Sequence, residues 1–441
     1  MQLYFTAYGI SIKVNHIENF SSMAKSPVIV SAIEIGTSQI NVLIGEVTAD
    51  SVNVIGRGSA NSGDAVIKGE IRNMEQAAKA LELAVNQADE SSGGALFRSR
   101  LVILLISGGG VLCTTGTGTA AVRNENGIVG AEEMAEARNN AQVIELAADW
   151  KIITTHDIFW RLDGRRIGHP LNQRGRKLEV KVLIVQGHIP RMENFSNLVR
   201  NSELENAELY AVYSPICSKE GVLTEKETDD GAVLIDMGAG CTDYLVTHDG
   251  GVLQAGTLQI GFDHVANDLA IGLGLSFAGC RKLLESGTIK NAIEQNMPTL
   301  RIEQPMGGSR EIPVSSFETI IDARLQETFE QIRQRIHIPG GQTSGVLTGG
   351  GALHPGTLEM FSKVFGIPCR VGTVADATGK ISGLDSPRCT AVWGALKVAA
   401  YSHRNFMSDS GGFLQTFIEI MNNIWLYLPR WIGKLWKAFR F

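Results

Sequence analysis

The chain has 441 residues, of which 44% are hydrophobic and 20% are charged, and its formal net charge is −6. That length exceeds what one compact core normally covers, so two or more subdomains are expected. The negative balance gives no overall attraction for nucleic acid, and we expect no nucleic-acid partner. The six cysteines contain no CxxC pair, which argues against a zinc site or a disulfide framework and favours a reducing cytoplasm.

The N-terminal segment, residues 1–26, lacks the basic start and long apolar centre of a signal peptide. We expect it to be a disordered extension, and Met23, close before the first apolar run, is a more natural start of the protein. Since no run of eighteen uncharged apolar residues occurs, no transmembrane helix is predicted.

Strand-like and helical patterns alternate along the chain, which indicates an α/β fold. The predicted strands are Val28–Ile35, Ile40–Glu46, Val52–Arg57, Leu101–Ile106 and Val180–Gln186, and the predicted helices are Asn73–Ala88, Ala131–Leu146 and Met192–Ser202. From Ala232 the order of strand, turn and strand starts again, so the chain consists of two similar halves. A segment from about Gly110 to Gly187, with its own helix and a basic loop, suggests a small extra subdomain in the first half.

Two acid-bearing hairpins are the first chemical signal. "AIEIGTSQINVLI", from Ala32, and "VLIDMGAGCTDYLV", from Val233, both consist of an apolar strand, an acid, a glycine turn and a second apolar strand. A buried carboxylate is costly unless something binds it, and the backbone N–H groups of such turns can approach phosphate oxygens closely. Glu34 and Asp236 would then hold Mg²⁺. The predicted phosphate-binding residues are Gly36, Thr37 and Ser38 in one turn, and Asp236, Gly238, Ala239, Gly240, Cys241 and Thr242 in the other.

A third element is "SGVLTGGGALHPG", in which an apolar strand leads to Gly349, Gly350 and Gly351 before a helix near Pro355. Glycines at such a place let the backbone approach a flat ring or a sugar. A lone glycine triplet means little, but its position after two acid-bearing hairpins predicts the nucleoside end of a nucleotide site.

The segment after Ala400 changes character. Residues 401–420 are polar and typical of a linker, whereas residues 421–441 have the apolar spacing of an amphipathic helix. Its apolar face contains Trp425, Leu428, Trp431, Ile432, Leu435, Trp436 and Phe439, and its basic residues are Arg430, Lys434, Lys437 and Arg440. Three of the six tryptophans of the chain lie here, which favours binding to an anionic membrane surface over packing in a core.

In this order, the three motifs and the terminal helix resemble the actin, sugar kinase and DnaK superfamily and, within it, the FtsA family of bacterial cell-division proteins. The resemblance implies an actin-like ATPase fold, with two similar halves around a nucleotide cleft, an inserted subdomain of the FtsA type and a C-terminal amphipathic helix. The implied parts are a first subdomain (27–109 and 190–230), the insert (110–189), a second subdomain (231–262 and 343–400) and a small subdomain (263–342), followed by the linker and the helix.

The resemblance also implies ligands, partners and further residues. ATP and Mg²⁺ are the expected ligands, and the expected partners are the C-terminal tail of FtsZ, other divisome proteins and further copies of the chain in filaments at the cytoplasmic face of the membrane.

Glu220 matches the water-positioning glutamine of actin and is the implied catalytic residue. Cys280 and Leu283 stand where the family's nucleoside-contacting helix has an acid and a lysine, and a register shift of one would bring Arg281 and Lys282 there. We therefore expect ATP binding without fast hydrolysis.

Alternative functions remain open within the superfamily. A sugar or acetate kinase would need a catalytic acid and polar substrate groups, of which no persuasive set occurs, and would have no evident use for the terminal helix. A pilus-assembly relative is expected to lack the tryptophan-rich helix, and a DnaK-like chaperone would need a C-terminal peptide-binding domain for which the chain has no room.

Overall fold

The computed structural model describes residues 27–408 except 49, 100, 124–125, 206, 304–307 and 375–380, together with two short strands nearer the N-terminus. These strands, β1 (Tyr4–Ala7) and β2 (Ile10–Lys13), pair antiparallel within the segment for which an unstructured extension is expected. The rest of that segment and the predicted membrane helix, residues 421–441, lie outside the described residues.

A five-stranded sheet forms the first half of the protein. In spatial order its strands are β13 (Glu208–Tyr213), β8 (Leu101–Ile106), β3 (Val28–Ile35), β4 (Gln39–Val47) and β5 (Val52–Asn61). The strands β3, β4 and β5 form an antiparallel meander, whereas β8 lies parallel to β3 and β13 lies parallel to β8. Both faces of the sheet are covered, which explains why β3 and β8 are nearly continuous apolar runs.

A second five-stranded sheet repeats this arrangement strand for strand. Its order is β20 (Cys369–Val371), β19 (Ser344–Thr348), β14 (Ala232–Met237), β15 (Thr242–His248) and β16 (Gly251–Leu258). Again three strands form an antiparallel meander, and two parallel strands extend it on the other side. The prediction of two similar halves is therefore confirmed.

The helices of the two halves cover these sheets. They are α1 (Met74–Ser91), α3 (Ile189–Arg200), α4 (Ser214–Val222), α5 (Glu225–Asp230), α10 (Thr357–Phe365) and α11 (Thr390–Ser408). The last of them includes the first residues of the segment expected to be a linker. Although it follows β20 of the second sheet, it packs on the first sheet, because Trp393 and Leu396 share one apolar core with Val30 and Leu43.

The inserted subdomain is a four-stranded antiparallel sheet with one helix. Its strands, in spatial order, are β11 (Arg165–Ile167), β10 (Trp150–Leu162), β12 (Lys177–His188) and β9 (Val111–Ala121), and its helix is α2 (Ala131–Ala141). Gly116 and Gly118 of β9 let the helix backbone approach at Ala137 and Ala141. The helix ends five residues before the predicted Leu146; Asn139 and Asn140, which have low helix propensity, occupy its last turn.

The small subdomain of the second half is mostly helical. It contains α6 (Phe262–Leu273), α7 (Phe277–Glu285), α8 (Thr288–Glu294) and α9 (Val314–Arg335), with a hairpin of β17 (Thr299–Glu303) and β18 (Ser309–Pro313). Its counterpart in the first half is a single short hairpin, β6 (Val66–Ile67) and β7 (Glu70–Ile71). No helix in the described ranges combines the length and apolar character needed to cross a bilayer.

Candidate functional site

The two acid-bearing hairpins have the same local geometry. In the first, the N–H of Gly36 donates to the carbonyl of Gln39 at 3.0 Å, and in the second the N–H of Gly238 donates to the carbonyl of Cys241 at 2.9 Å. Each therefore closes a four-residue turn directly after its acid-bearing strand. Cross-strand pairing sets Asn41 beside Glu34 in the first hairpin and a second acid, Asp243, beside Asp236 in the other.

A cavity of about 400 Å³ lies between the two halves, and the turns of both hairpins line it. The residues predicted from the sequence that line it are Glu34, Gly36, Thr37, Ser38, Asp236, Gly238, Ala239, Gly240, Cys241, Gly349, Gly350 and Gly351. Thr242 does not line the cavity: its side chain is fully buried and its hydroxyl donates to the carbonyl of Ile260 at 2.7 Å. The structure thus brings the three motifs to one place.

The approach of these motifs depends on glycines at two positions. A β-carbon at Gly240 would collide with the hydroxyl of Thr37 and the backbone of Lys68, so the tips of the two hairpins touch each other there. Gly349 has φ of +82° and lies against the carboxylate of Asp236, so a side chain at this position would be both strained and obstructed. The glycine triplet is therefore packed directly on the second hairpin.

Three carboxylates lie together in the wall of the cavity, of which Asp243 is buried and Glu34 and Asp236 are half-buried. Burial and the neighbouring charge of Asp236 raise the pKa of Glu34 to about 8, although a hydrogen bond from Asn41 opposes this. Burial raises the pKa of Asp243 to about 7, against hydrogen bonds from Ser107 and Thr257, and the pKa of Asp236 to about 6, against one from Ser218. The raised pKa values mean that the site disfavours the ionised form of all three carboxylates in the absence of a cation.

This donor set suits a magnesium ion that retains most of its water. Within the described residues, no three His, Cys, Asp or Glu side chains form a metal cluster on their own. Mg²⁺ is usually bound by one or two carboxylates, its waters and the phosphates of a nucleotide. Glu34 and Asp236, with Asp243 beside them, fit that pattern.

The predicted catalytic residue lies elsewhere. Glu220 does not line the cavity; its carboxylate accepts a hydrogen bond from Lys219 at 2.6 Å. The residues of α4 that face the site are Ser214, which lines the cavity, and Ser218, whose hydroxyl donates to Asp236 at 2.7 Å. Residues four apart share one face of a helix, and Glu220 comes two residues after Ser218 on another face. The assignment of a water-positioning function to Glu220 has no support in this arrangement.

Arg281 joins the two halves across the cavity. From α7 of the small subdomain, its guanidinium donates to the carbonyl of Thr37 at 2.9 Å and to that of Gly63 at 3.2 Å, both in the first half. Glu285, one turn later, accepts from Arg281 at 3.2 Å and from the hydroxyl of Ser38 at 3.0 Å. Of the two residues that a register shift of one would place at the site, Arg281 reaches it, whereas Lys282 is exposed.

Two further residues were missed by the sequence reasoning. Lys68, with φ of +51°, occupies the turn between β6 and β7, which touches the second hairpin at Gly240. The short hairpin "VIKGEI" that presents it was the available signal. His354, three residues after the glycine triplet in the motif "GGGALHPG", also lines the cavity.

Two sheets of identical topology that flank a cavity, with a hairpin turn from each sheet in its wall, define the class of the protein as an α/β protein with the actin-like fold. Among solved structures, a chain of the PilM-PilN type IV pilus biogenesis complex matches with a TM-score of 0.57 and 15% identity, over 85% of this chain and 99% of that one. MreB5 of Spiroplasma citri, solved bound to ADP, matches with a TM-score of 0.50 and 12% identity, over 86% and 99%.

Family models identify the particular group. The model "Cell division protein FtsA" matches residues 233–394, and the model "SHS2 domain inserted in FTSA" matches residues 108–186, the inserted subdomain. The chain belongs to the FtsA family of cell division proteins.

Curated relatives extend the match along most of the chain. The cell division protein FtsA of Neisseria meningitidis is 25% identical, over 91% of this chain and 97% of that protein. The FtsA proteins of Pseudomonas aeruginosa and Bacillus subtilis are each 26% identical, over 86% and 78% of this chain and 91% and 78% of their own lengths.

The buried carboxylates predict how stability depends on pH in the absence of nucleotide. Their folded-state pKa values of about 8, 7 and 6 lie above the ordinary value near 4, so the folded state holds protons more tightly than the unfolded chain. The stabilisation is complete below about pH 4, declines as the pH rises above that value, and is fully lost once the pH has passed the folded-state pKa values of about 6 to 8. In Glu34→Gln, which stays neutral, the loss of unfolding free energy between pH 5.5 and 8.5 should be smaller by about 3 kcal/mol.

Thermal and denaturant unfolding at constant ionic strength would measure this difference. Glu75→Gln is a matched control, because Glu75 is exposed and the hydrogen bond from Lys79 lowers its pKa, so it titrates below this range. An equal pH dependence in the parent and in Glu34→Gln would contradict the prediction.

The bonds of Arg281 predict a local change in dynamics. Arg281→Met keeps an unbranched apolar stem but removes all donors, so amide hydrogen exchange should rise by about tenfold or more in the turn at residues 36–39 and in α7. Exchange in the inserted subdomain, which Arg281 does not contact, should stay the same. Lys282→Met, one residue away and exposed, is the control; the same exchange pattern in both variants would show that Arg281 does not hold the two halves together.

Proposed function

We propose that this protein is an ATP-binding, actin-like adaptor that ties FtsZ filaments to the inner face of the cytoplasmic membrane during cell division. The observation that carries the proposal is the meeting of two equivalent acid-bearing turns and a glycine triplet around one cavity, in a member of the FtsA family. The basic amphipathic sequence at the C-terminus supports the membrane part.

In the nucleotide part of the proposal, the two turns bind the phosphates of ATP. Their backbone N–H groups and the hydroxyls of Thr37 and Ser38 are the donors, and the glycine triplet adjoins the nucleoside. Mg²⁺, when bound, neutralises phosphate charge, and Asp236 and Glu34 are the carboxylates that would hold it. In the absence of cation, these carboxylates and Glu285 would repel a triphosphate, so binding should require the metal.

Slow or absent hydrolysis follows from the residues on α4 that face the cavity. Ser214 and Ser218 present hydroxyl groups there, and Ser218 is already hydrogen-bonded to Asp236. A hydroxyl with an ordinary pKa is a poor general base for an attacking water. ATP would therefore act mainly as a bound ligand that joins the two halves.

Substitution of Asp236 tests the nucleotide part. Asp236→Ala removes the carboxylate that lies nearest the glycine triplet and should weaken Mg·ATP binding at least 100-fold, because the loss leaves the phosphates without their anchored cation. Isothermal titration with and without Mg²⁺ would measure it. Asp163→Ala, in an exposed turn of the insert, is the control, and unchanged affinity in Asp236→Ala would remove this residue from the site.

The membrane part rests on the sequence of residues 424–441. A helix with tryptophans on one face and Arg430, Lys434, Lys437 and Arg440 on the other suits the interface of a bilayer. Each large apolar side chain that is buried contributes roughly 1.5–3 kcal/mol at most, and each basic residue near anionic lipid about 1 kcal/mol, so one helix suffices for reversible attachment.

The FtsZ part assigns the C-terminal tail of FtsZ to the small subdomain, residues 263–342. Self-association into filaments and contacts with other divisome proteins belong to the same proposal. Family membership supports these partners, and α6 to α9 supply a surface that is continuous with the nucleotide cavity through Arg281 and Glu285.

One reconstitution tests the adaptor as a whole. The full-length protein with ATP should carry polymerised FtsZ to vesicles that contain anionic lipid, and a variant truncated before Ile424 should leave FtsZ in the supernatant without a lower thermal midpoint. Trp431→Glu should act almost as strongly, since it puts a charge on the apolar face, whereas Lys434→Gln should weaken binding modestly. Recruitment by the truncated variant would contradict the tether, and a truncated variant that melts several degrees lower would mean that the helix belongs to the fold.

A further inference from the structure

Among the buried polar side-chain atoms without a partner, one belongs to a residue that lines the cavity. In the described part of the chain, the buried side-chain atoms without a hydrogen-bond partner are His156 Nε2, His188 Nδ1, Thr247 Oγ1, His354 Nε2, Thr357 Oγ1 and Trp393 Nε1. Of these residues, only His354 lines the cavity. Buried polar atoms are almost always paired, so an unpaired one in the wall of a ligand cavity calls for a partner that the ligand supplies.

The hydrogen bond of Nδ1, the other ring nitrogen of His354, determines whether Nε2 is a donor or an acceptor. Nδ1 of His354 lies 2.8 Å from the carbonyl oxygen of Pro355, which can only accept, so Nδ1 carries the proton. Burial lowers the pKa of His354, which keeps the ring neutral at physiological pH. In a neutral imidazole with a protonated Nδ1, Nε2 is an acceptor. The unpaired atom therefore requires a hydrogen-bond donor.

The surroundings of His354 are those of the base rather than the phosphates. It follows the short turn Gly350–Leu353, its ring lies 5.7 Å from that of Phe262, and Gly287 and Lys290 line the same cavity. The phosphate-binding turns, in contrast, are formed by the two hairpins. Glycine backbone and an aromatic ring provide a surface that a flat heterocycle can approach closely.

We propose that Nε2 of His354 accepts a hydrogen bond from the exocyclic 6-amino group of a purine, which makes this residue a determinant of adenine over guanine. Guanine and hypoxanthine present a carbonyl oxygen at that position, and two acceptors would then face each other with neither paired. The inference rests on the proposed nucleotide binding and deepens it, because it assigns the base that the cavity selects.

The test compares three nucleotides that differ at one position of the base. ATP has an amino group at C6, purine riboside 5′-triphosphate has hydrogen there, and inosine 5′-triphosphate has an oxygen. Titration of the full-length protein with each, in the presence of Mg²⁺, should show binding of ATP about 3- to 10-fold tighter than the unsubstituted analogue. The inosine nucleotide should bind about 10- to 100-fold more weakly than ATP, because its carbonyl oxygen would lose its water on binding and face Nε2, a second acceptor, without gaining a partner.

Two variants locate the discrimination at this residue. His354→Leu has no acceptor and should bind the three nucleotides with affinities equal to within about twofold. His354→Gln should give a different order of affinities, because its amide oxygen can accept from an amino group and its amide nitrogen can donate to a carbonyl oxygen. ATP and the inosine nucleotide should therefore both bind to this variant more tightly than the unsubstituted analogue does. His169→Leu, at an exposed position of the insert, should behave as the parent does.

The possible results distinguish a wrong assignment of His354 from a failure of the proposed nucleotide binding. If the parent binds ATP but does not distinguish it from the unsubstituted analogue, or if His354→Leu keeps the parent's preference, the assignment of His354 is wrong and nucleotide binding stands. If the parent binds none of the three nucleotides, the proposed nucleotide binding fails and this inference fails with it. The comparison within the parent needs no variant, so a misfolded variant would not prevent the test.

Discussion

The burial of Glu34, Asp236 and Asp243 at one point is the constraint on which the arrangement of the site depends. Each acid lies at or near the end of a strand that is largely buried, so it cannot leave its place without moving a sheet. Hydrogen bonds from Asn41, Ser218, Ser107 and Thr257 satisfy part of each carboxylate, yet all three pKa values stay raised. A buried charge that the fold does not compensate is what a cation and its ligand can compensate.

The repetition of the fold in the two halves explains how these acids meet. The two hairpins differ at one position, and this difference explains why the two walls of the cavity are not chemically the same. Equivalent strands, β3 with β4 and β14 with β15, bring equivalent turns to the two walls of the cavity. In the first hairpin the second position is the neutral Asn41, which donates to Glu34 at 3.1 Å. In the other hairpin it is Asp243, whose carboxylate is bound by Ser107 from the first half at 2.6 Å. Asp243 thus also serves as a polar link between the two halves.

Most of the fold could be predicted from the sequence because its strands are long apolar runs with clear turns. The predicted bounds of β3 and β8 are the observed ones, and Asn73, the first residue of a predicted helix, is the cap of α1. The turns of the site were predicted for the same reason, since glycine and acid positions are explicit in the sequence. Thr242 was misplaced because side chains alternate across a strand, and its neighbour Asp243 is the one on the cavity side.

Residues on helices were harder to predict, since their orientation depends on tertiary packing. A shift of one residue separates Lys282, which is exposed, from Arg281, which crosses the cavity. On α4, Ser214 and Ser218 face the acids, and the rotation that places them there turns Glu220 away. The acceptor on His354 could not be predicted from the sequence either. Only the hydrogen bond of Nδ1 to Pro355 reveals that the other ring nitrogen, Nε2, is an unpaired acceptor.

The walls of the cavity come from three separate parts of the chain. Thr37 and Ser38 belong to the first half, Gly238 to Cys241 belong to the second, and Arg281 and Glu285 belong to the small subdomain. A ligand that contacts all three parts stabilises the one relative position in which all of its contacts can form. Since coupling between two sites is reciprocal, a partner that docks on the small subdomain and prefers that position must also strengthen the binding of the ligand. Glu285 accepts a hydrogen bond from the hydroxyl of Ser38 in this structure, so under the proposed nucleotide binding a phosphate at Ser38 would compete with the small subdomain for that hydroxyl.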